Sequence, residues 1–547
     1  MTARILRFVL LAAAVGAPLA AQQALLPEVT YQDLLDGLNH PSRWLTYSGD
    51  YTSRRHSPLT QITRANVHRL TPQWTFQAGQ MPLSRGFETT PLVLDGVLYV
   101  TGNENYAWAV DARTGRQLWR YRRQLPSGLT YGGANQVNRG FAALGTRLFM
   151  GTLDAHVIAL DRETGEELWD VELDDFTLGH AATVAPLVVK DKVIIGNSGG
   201  DLPTRGFIDA YDAETGTRAW RFYTIPGPGE PGSETWPNEE ILAWGGGAAW
   251  VTGSFDPELN LIYWGTGNPV PDYYGPDRPG DNLYTASIVA LDADTGELKW
   301  HYQFTPHDTH DWDANQIPVL TDLTIGGEER KVVMVANRNG FFYVLDRATG
   351  ELLLGEPFTA TQWAREIGAD GRPIVLSDGV VKPGETEETT TCVPHYRGGT
   401  NFNPPSYDPV RRLFFVMARE TCAFYTPQKQ EMRPGRVFMG GGIKPLPEPN
   451  YGALRALDPT TGELRWEYKY PTPSLAGVMS TASGLVFSGD DQNEFSAFNA
   501  DTGERLWYYQ TGAPIYGAAA TTYMLDGRQY VLIPSGSTLV AFALPQE

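Results

Sequence analysis

Cysteine is nearly absent: the 547-residue chain has two, Cys392 and Cys422, and no Cys-x-x-Cys-His run. A c-type haem therefore has no attachment point, and any electrons this chain handles must leave through a separate protein. Two cysteines allow a single intramolecular pairing, which export into an oxidising compartment would favour. Long apolar runs are missing beyond the N-terminus, so no later segment is suited to span a membrane as a helix. Positive charge is scarce too, with 43 Lys and Arg against 63 Asp and Glu and a formal net charge of −20. Such an acidic body repels nucleic acid and anionic membranes, and suits a cationic protein partner such as a basic electron carrier.

Glycine and proline are plentiful instead. The chain holds 58 Gly and 39 Pro, is 42% hydrophobic and 12% aromatic, and only 19% charged. That balance describes a folded, turn-rich, all-β protein. At the N-terminus Arg4 and Arg7 precede an apolar run from Phe8 to Leu19, followed by the small pair Ala20-Ala21. This is the pattern of a secretory signal peptide over residues 1–21. The rival, a membrane anchor, needs roughly 20 apolar residues, and this run is about a dozen long. Residues 22–547 are then expected as a soluble, exported, single domain, and losing two arginines and no acid takes the charge from −20 to −22.

An internal repeat, Ala-x-Asp-x-x-Thr-Gly-x-x-x-Trp, organises the chain. Copies run from Ala109 to Trp119, Ala159 to Trp169, Ala210 to Trp220, Ala290 to Trp300, Ala456 to Trp466 and Ala497 to Trp507. A weaker copy starts at Val344 and carries Leu354 in the Trp place, and Asn66-Val67…Trp74 reads as a truncated first copy, which makes eight. Each copy reads as a β-hairpin, with the Asp oxygen and the Gly backbone making the reversal. Most intervals are about 40 to 55 residues, the size of one four-stranded blade. An eight-bladed β-propeller follows, with the tryptophans docking one blade on the next. Two intervals, Trp220 to Trp300 and Leu354 to Trp466, are longer and Gly/Pro-rich, and loops on a rigid scaffold are where sites are built.

The densest polar cluster is Thr305 to Asn315, with His307, Asp308, His310, Asp311 and Asp313. Such a set is costly to bury unless it is paired or bound to metal, and a solvated loop is the plainer alternative. The spacing matches no common zinc signature. Asp201 in Gly196-Asn-Ser198-Gly-Gly-Asp201 and Asn268 in Gly265-Thr-Gly-Asn268-Pro offer oxygens that suit a hard cation, or simply make turns. Trp250, after Gly245-Gly-Gly, could stack on a flat ligand or pack in the core.

Seven further motifs carry a resemblance over essentially the whole mature chain. They are Trp44-Leu-Thr-Tyr-Ser-Gly-Asp50 with Arg55-His-Ser-Pro58, Arg85-Gly-Phe-Glu88-Thr-Thr-Pro, Val137-Asn-Arg139-Gly, Thr183-Val-Ala-Pro, Arg205-Gly-Phe, Gly265-Thr-Gly-Asn-Pro and Asn337-Arg338-Asn-Gly. In this order they resemble the pyrroloquinoline quinone (PQQ)-dependent methanol and ethanol dehydrogenases. The resemblance implies PQQ, one calcium or lanthanide ion, and oxidation of a primary alcohol to an aldehyde. Asp311 is then the general base and Arg338 binds the quinone edge. Asp201, Asn268 and Asp311 hold the metal, whose charge polarises the quinone. Glu88, Arg139, Thr183, Ser198 and Asn401 bind the polar rim of PQQ, Trp250 lies beneath its plane, and Cys392 and Cys422 form a structural disulfide. Implied partners are a small alcohol and a soluble or membrane cytochrome c, in the periplasm of a Gram-negative host, with a homodimer compatible.

The chain departs from the family pattern at four places. Gly133 and Ala134 stand where the family has an adjacent-cysteine disulfide over PQQ. Asp201 stands where the metal ligand is usually Glu, one methylene longer. Leu475-Ala476 replace a Trp near the end of the chain, which should widen the substrate side. Asp313 supplies the extra carboxylate of lanthanide-using relatives, or else pairs with a cation nearby. Two other readings stay open: a non-catalytic propeller scaffold, and a PQQ dehydrogenase of a sugar, polyol or polymer.

Overall fold

The computed structural model describes residues 27–79, 86–129, 136–376 and 392–546. The signal peptide of residues 1–21 and the pair Gly133–Ala134 lie outside the described residues. Among the described residues, strands dominate and build eight blade sheets, seven of four strands and one of five. The first blade is an antiparallel meander of Leu92–Leu94, Val97–Thr101, Tyr106–Asp111 and Gln117–Arg122. Its first three strands are largely buried, whereas the outermost alternates exposed and half-buried residues. The same gradient recurs in the next blade, so apolar side chains fill the space between sheets and polar ones reach the rim.

The repeat explains this regularity residue by residue. Asp111 Oδ1 accepts from the Arg113 amide at 2.9 Å, the Thr114 amide at 3.0 Å and the Thr114 hydroxyl at 3.1 Å. The turn thus satisfies itself, and Gly115 completes it in the left-handed region at φ +71°. The glycine is required for a second reason. A Cβ at Gly115, Gly165, Gly296, Gly350 or Gly503 would lie 2.5–2.8 Å from the preceding copy's Trp ring.

Each Trp also donates its indole N–H to the next copy. Trp119 donates to the Arg162 carbonyl at 3.0 Å, Trp220 to Ala293 at 3.3 Å, Trp300 to Arg347 at 3.2 Å and Trp466 to Ala500 at 2.9 Å. The tryptophans are docking residues, as the repeat implied. The truncated copy closes the ring. Thr71–Gln77, which contains Trp74, pairs antiparallel with Thr538–Ala543 as the outer strand of the last blade. Trp74 donates to Ala112, and Trp507 donates to Leu70 at 3.2 Å, so docking passes through the seam unbroken.

The two long intervals add walls above this ring. The first holds a short helix, Glu239–Leu242, and the segment leading to Trp250. The second holds a two-stranded hairpin, Ala364–Ile367 with Pro373–Val375, and extends the strands Leu413–Pro427 and Gly441–Leu457 well past blade length. Cys392 and Cys422 are joined in a disulfide, which ties the loop before Pro394 to the first of these long strands. No helix among the described residues is long and apolar enough to cross a membrane.

Candidate active site

The cluster Thr305 to Asn315 is buried rather than solvated, with His307 and Thr309 its more exposed members. Asp308 organises it. Its two oxygens accept from the His310 amide at 3.0 Å and the Trp312 amide at 2.8 Å, one on each side of Asp311. The His310 and Trp312 rings stack at 4.1 Å. Between them Asp311 takes φ +59°, a left-handed conformation that a non-glycine residue adopts when its surroundings impose it. This turns the Asp311 carboxylate into a cavity of about 490 Å3.

Arg338 bridges the acids. Its Nη1 donates to the Asp311 carbonyl at 2.7 Å and to Asp311 Oδ1 at 3.2 Å, and its Nη2 donates to Asp313 Oδ2 at 2.6 Å. Asp313 also accepts from the Asn268 amide at 2.8 Å and the Trp250 indole at 3.1 Å. Both Asp313 oxygens are therefore engaged by protein donors. Carboxylate oxygens of Asp201, Asp272 and Asp311 lie within 4.8 Å of one another. Asp272 is fully buried; its Oδ1 accepts from Asn268 Nδ2 at 2.9 Å, and its Oδ2 has no partner.

Electrostatics reflect this crowding. Burial, then the Asp313 carboxylate, pushes Asp201 up to about 6, with Arg338 opposing. Burial also holds Asp311 well above the carboxylate range, against Arg338 and with Asp201, Asp313 and Asp272 adding to it. Asp272 is raised in the same way by burial and by Asp201. Three carboxylates that repel one another, Asp272 and Asp311 buried and Asp201 half-buried, one with an orphaned oxygen, form a donor set that a hard cation would stabilise. The residues fit a metal ion.

On the other wall Arg139 forms a clamp. Its Nη2 donates to Glu88 Oε2 at 2.8 Å and its Nη1 to the Thr183 hydroxyl at 2.6 Å, and Thr183 meets the Ser198 hydroxyl at 2.7 Å. Its Nε has no partner. The Arg139 guanidinium lies 4.7 Å from the Trp250 ring centroid and that of Arg338 lies 5.7 Å from it. An indole face flanked by two guanidiniums, in a cavity of this volume, fits a flat, carboxylate-bearing aromatic such as PQQ.

Nine residues singled out in the sequence line this cavity: Arg139, Ser198, Asp201, Trp250, Asn268, Asp311, Asp313, Arg338 and Asn401. Glu88 and Thr183 stand behind, holding Arg139. Leu475, at the departure from the family Trp, is part of the wall. The sequence reading missed Asp272, although it follows Asn268 by four residues in one Pro-containing turn. It also missed Tyr396, Arg397, Phe402, Met439 and Ile443, which the second long interval delivers.

Comparison with known proteins agrees with this geometry. The family described as "PQQ: Glucose/ethanol/alcohol dehydrogenase, beta-propeller domain" matches residues 44–357 and 427–531. The chain belongs to this family of PQQ-dependent dehydrogenases. Quinoprotein alcohol dehydrogenase PedH of Pseudomonas putida is 37% identical over 532 residues, covering 93% of this chain and 88% of PedH. The quinoprotein ethanol dehydrogenase of Pseudomonas aeruginosa is 35% identical over 559 residues, covering 94% and 89%. A solved europium-containing methanol dehydrogenase superposes with a TM-score of 0.87 at 31% identity, covering 94% of this chain and 100% of its own. The chain is thus an oxidoreductase of this class, and the scaffold reading is set aside.

Proposed function

We propose that this protein oxidises a primary alcohol to an aldehyde, with Asp311 taking the hydroxyl proton. The arrangement that carries the reading is Arg338 spanning Asp311 and Asp313 beside Asp201 and Asp272, with Asp313 at the edge of the Trp250 ring. When bound, PQQ supplies the two-electron acceptor and the metal ion supplies the charge that polarises it. Asp201, Asn268 and Asp311 would hold the ion, and Asp272 would add its orphaned oxygen. Arg338 orients the Asp311 carboxylate and would donate to the quinone. Burial raises the basicity of Asp311, which suits it to accept a proton from an alcohol. Glu88, Thr183 and Ser198 fix Arg139 toward the cofactor carboxylates, Asn401 adds an amide to the same rim, and Trp250 supports the plane.

Four carboxylates, Asp201, Asp272, Asp311 and Asp313, meet two buried guanidiniums, Arg338 among them and Arg278 behind Asp272. That negative excess favours a lanthanide over calcium, with Asp313 as an additional ligand once it exchanges one of its protein hydrogen bonds for the ion. Electrons pass to an external cytochrome c, for which the acidic body is complementary, after export to the periplasm.

The test is dye-linked oxidation of an alcohol panel by purified apoprotein reconstituted with PQQ and either calcium or lanthanum. Activity with lanthanum above that with calcium supports the reading in full. Activity with calcium alone overturns the metal assignment, and no PQQ retention with either metal overturns the function.

A further inference from the structure

A second cavity, of about 290 Å3, adjoins the first, and Arg397 belongs to the walls of both. Its other cation is Arg419, which is only 6% exposed. The Arg419 side chain donates to the Ser474 carbonyl at 3.3 Å, and its Nε has no partner. Arg397 Nε donates to the Tyr396 hydroxyl at 3.1 Å. Neither guanidinium forms an ion pair among the described residues. Thr421 Oγ1 and Asp491 Oδ1, in the same wall, are buried and also lack partners.

His395 adds no third charge. Its Nδ1 accepts from the Arg397 amide at 3.2 Å, and burial, Arg419 and Arg397 push it down to about 3. The imidazole is neutral, with its proton on Nε2. Burial and Arg397 lower Arg419 to about 10, with the Asp491 carboxylate in the same wall opposing them without forming an ion pair. Two guanidiniums against the single carboxylate of Asp491 leave this pocket with an excess positive charge in a chain of net charge −20, and with a free hydroxyl beside them they fit one anion. The strand is also held in place, because Cys422 of the disulfide lies in this wall.

We infer that this second cavity binds the carboxylate of a hydroxy-acid substrate, held by Arg419, Thr421 and Arg397. The inference rests on the alcohol oxidation proposed above. Arg397 connects the two cavities, and Tyr396 beside it receives a hydrogen bond from Arg338 at 3.3 Å, so the pocket lies within a few side chains of Asp311. The hydroxyl end of the substrate reaches Asp311 while the acid end stays at Arg419. The unpartnered Asp491 oxygen accepts a further hydroxyl on the ligand.

The experiment compares n-alkanols with ω-hydroxy carboxylates of matched length on the reconstituted holoenzyme, and titrates propionate into the same protein by calorimetry. Hydroxy acids should exceed alkanols in kcat/KM by about tenfold or more, since hydrogen bonds to charged groups are worth ~1.5–3 kcal/mol. Arg419→Met should abolish both the preference and the propionate heat, and Arg419→Lys should restore part of each. Equal kcat/KM for the two series would overturn the inference, as would propionate binding without substrate preference, which marks a site for a free carboxylate only. Arg419-dependent propionate binding in a protein that oxidises no alcohol would support the carboxylate site and sink the oxidation reading instead.

Discussion

The blade rim and the cavity floor treat polar groups in opposite ways. At the rim, Asp161 accepts three hydrogen bonds from its own turn, and the Trp119 indole N–H finds a carbonyl in the next blade. At the centre, Asp272 Oδ2, Arg139 Nε and Arg338 Nε are buried without partners. Leaving one such group unpaired costs ~1–3 kcal/mol, so the rim adds stability where the floor loses it. The contrast separates the residues that hold the ring together from those that await a ligand.

Substitutions can break this contrast, and the largest effect is expected on the floor. Asp311→Asn should lower kcat by about 10²- to 10⁴-fold with no loss of melting temperature, because it removes a crowded buried charge. A near-normal rate would remove Asp311 as the base. Asp272→Asn should weaken terbium binding, read by luminescence, by about 10- to 100-fold. Asp313→Ala should lower lanthanum-supported activity more than calcium-supported activity, and equal effects would sink its metal role.

Rim changes should give the converse result. Gly296→Ala places a methyl 2.5 Å from the Trp220 ring at φ +73° and should cost about 1–3 kcal/mol in urea unfolding, with kcat/KM unchanged.

A further effect concerns pH. His395 is held near 3 in the folded chain against an ordinary 6.5. Below 6.5 the unfolded chain takes up a proton that the folded chain refuses, so this contribution to stability falls as pH falls toward 3. His395→Asn should flatten the decline of melting temperature across that window, and an unchanged slope would show that other groups set it.

The rim was the legible part of the chain because its information is local and repeated. One eleven-residue pattern contains the turn acceptor, the left-handed glycine and the docking indole, so reading it yields the blade. Even the truncated copy at Trp74 carried its meaning, although only the pairing with Thr538–Ala543 reveals that it completes the last sheet. The floor was legible where family motifs marked it, at Asp201, Asn268, Asp311 and Arg338. It was opaque where the signal was a single residue. Asp272 is one carboxylate in a turn, and nothing in the sequence shows that its oxygens face those of Asp201 and Asp311. Glu88 and Thr183 read as cofactor contacts, while the structure sets them one layer back on Arg139. Arg419 and Asp491 stand 72 positions apart, one on the long strand Leu413–Pro427 and the other in the turn after Leu485–Gly489 of another sheet, and only the packing of two blades brings them to one pocket.

The strand Thr71–Gln77 lies near the start of the described residues, yet its pairing partner, Thr538–Ala543, is the last strand among them. The final sheet therefore works as a check on length. A chain that stops short of residue 538 leaves Trp74 and its strand with an open edge and the ring without its seam. Closure of the ring thus depends on the meeting of residues more than 460 positions apart in the chain.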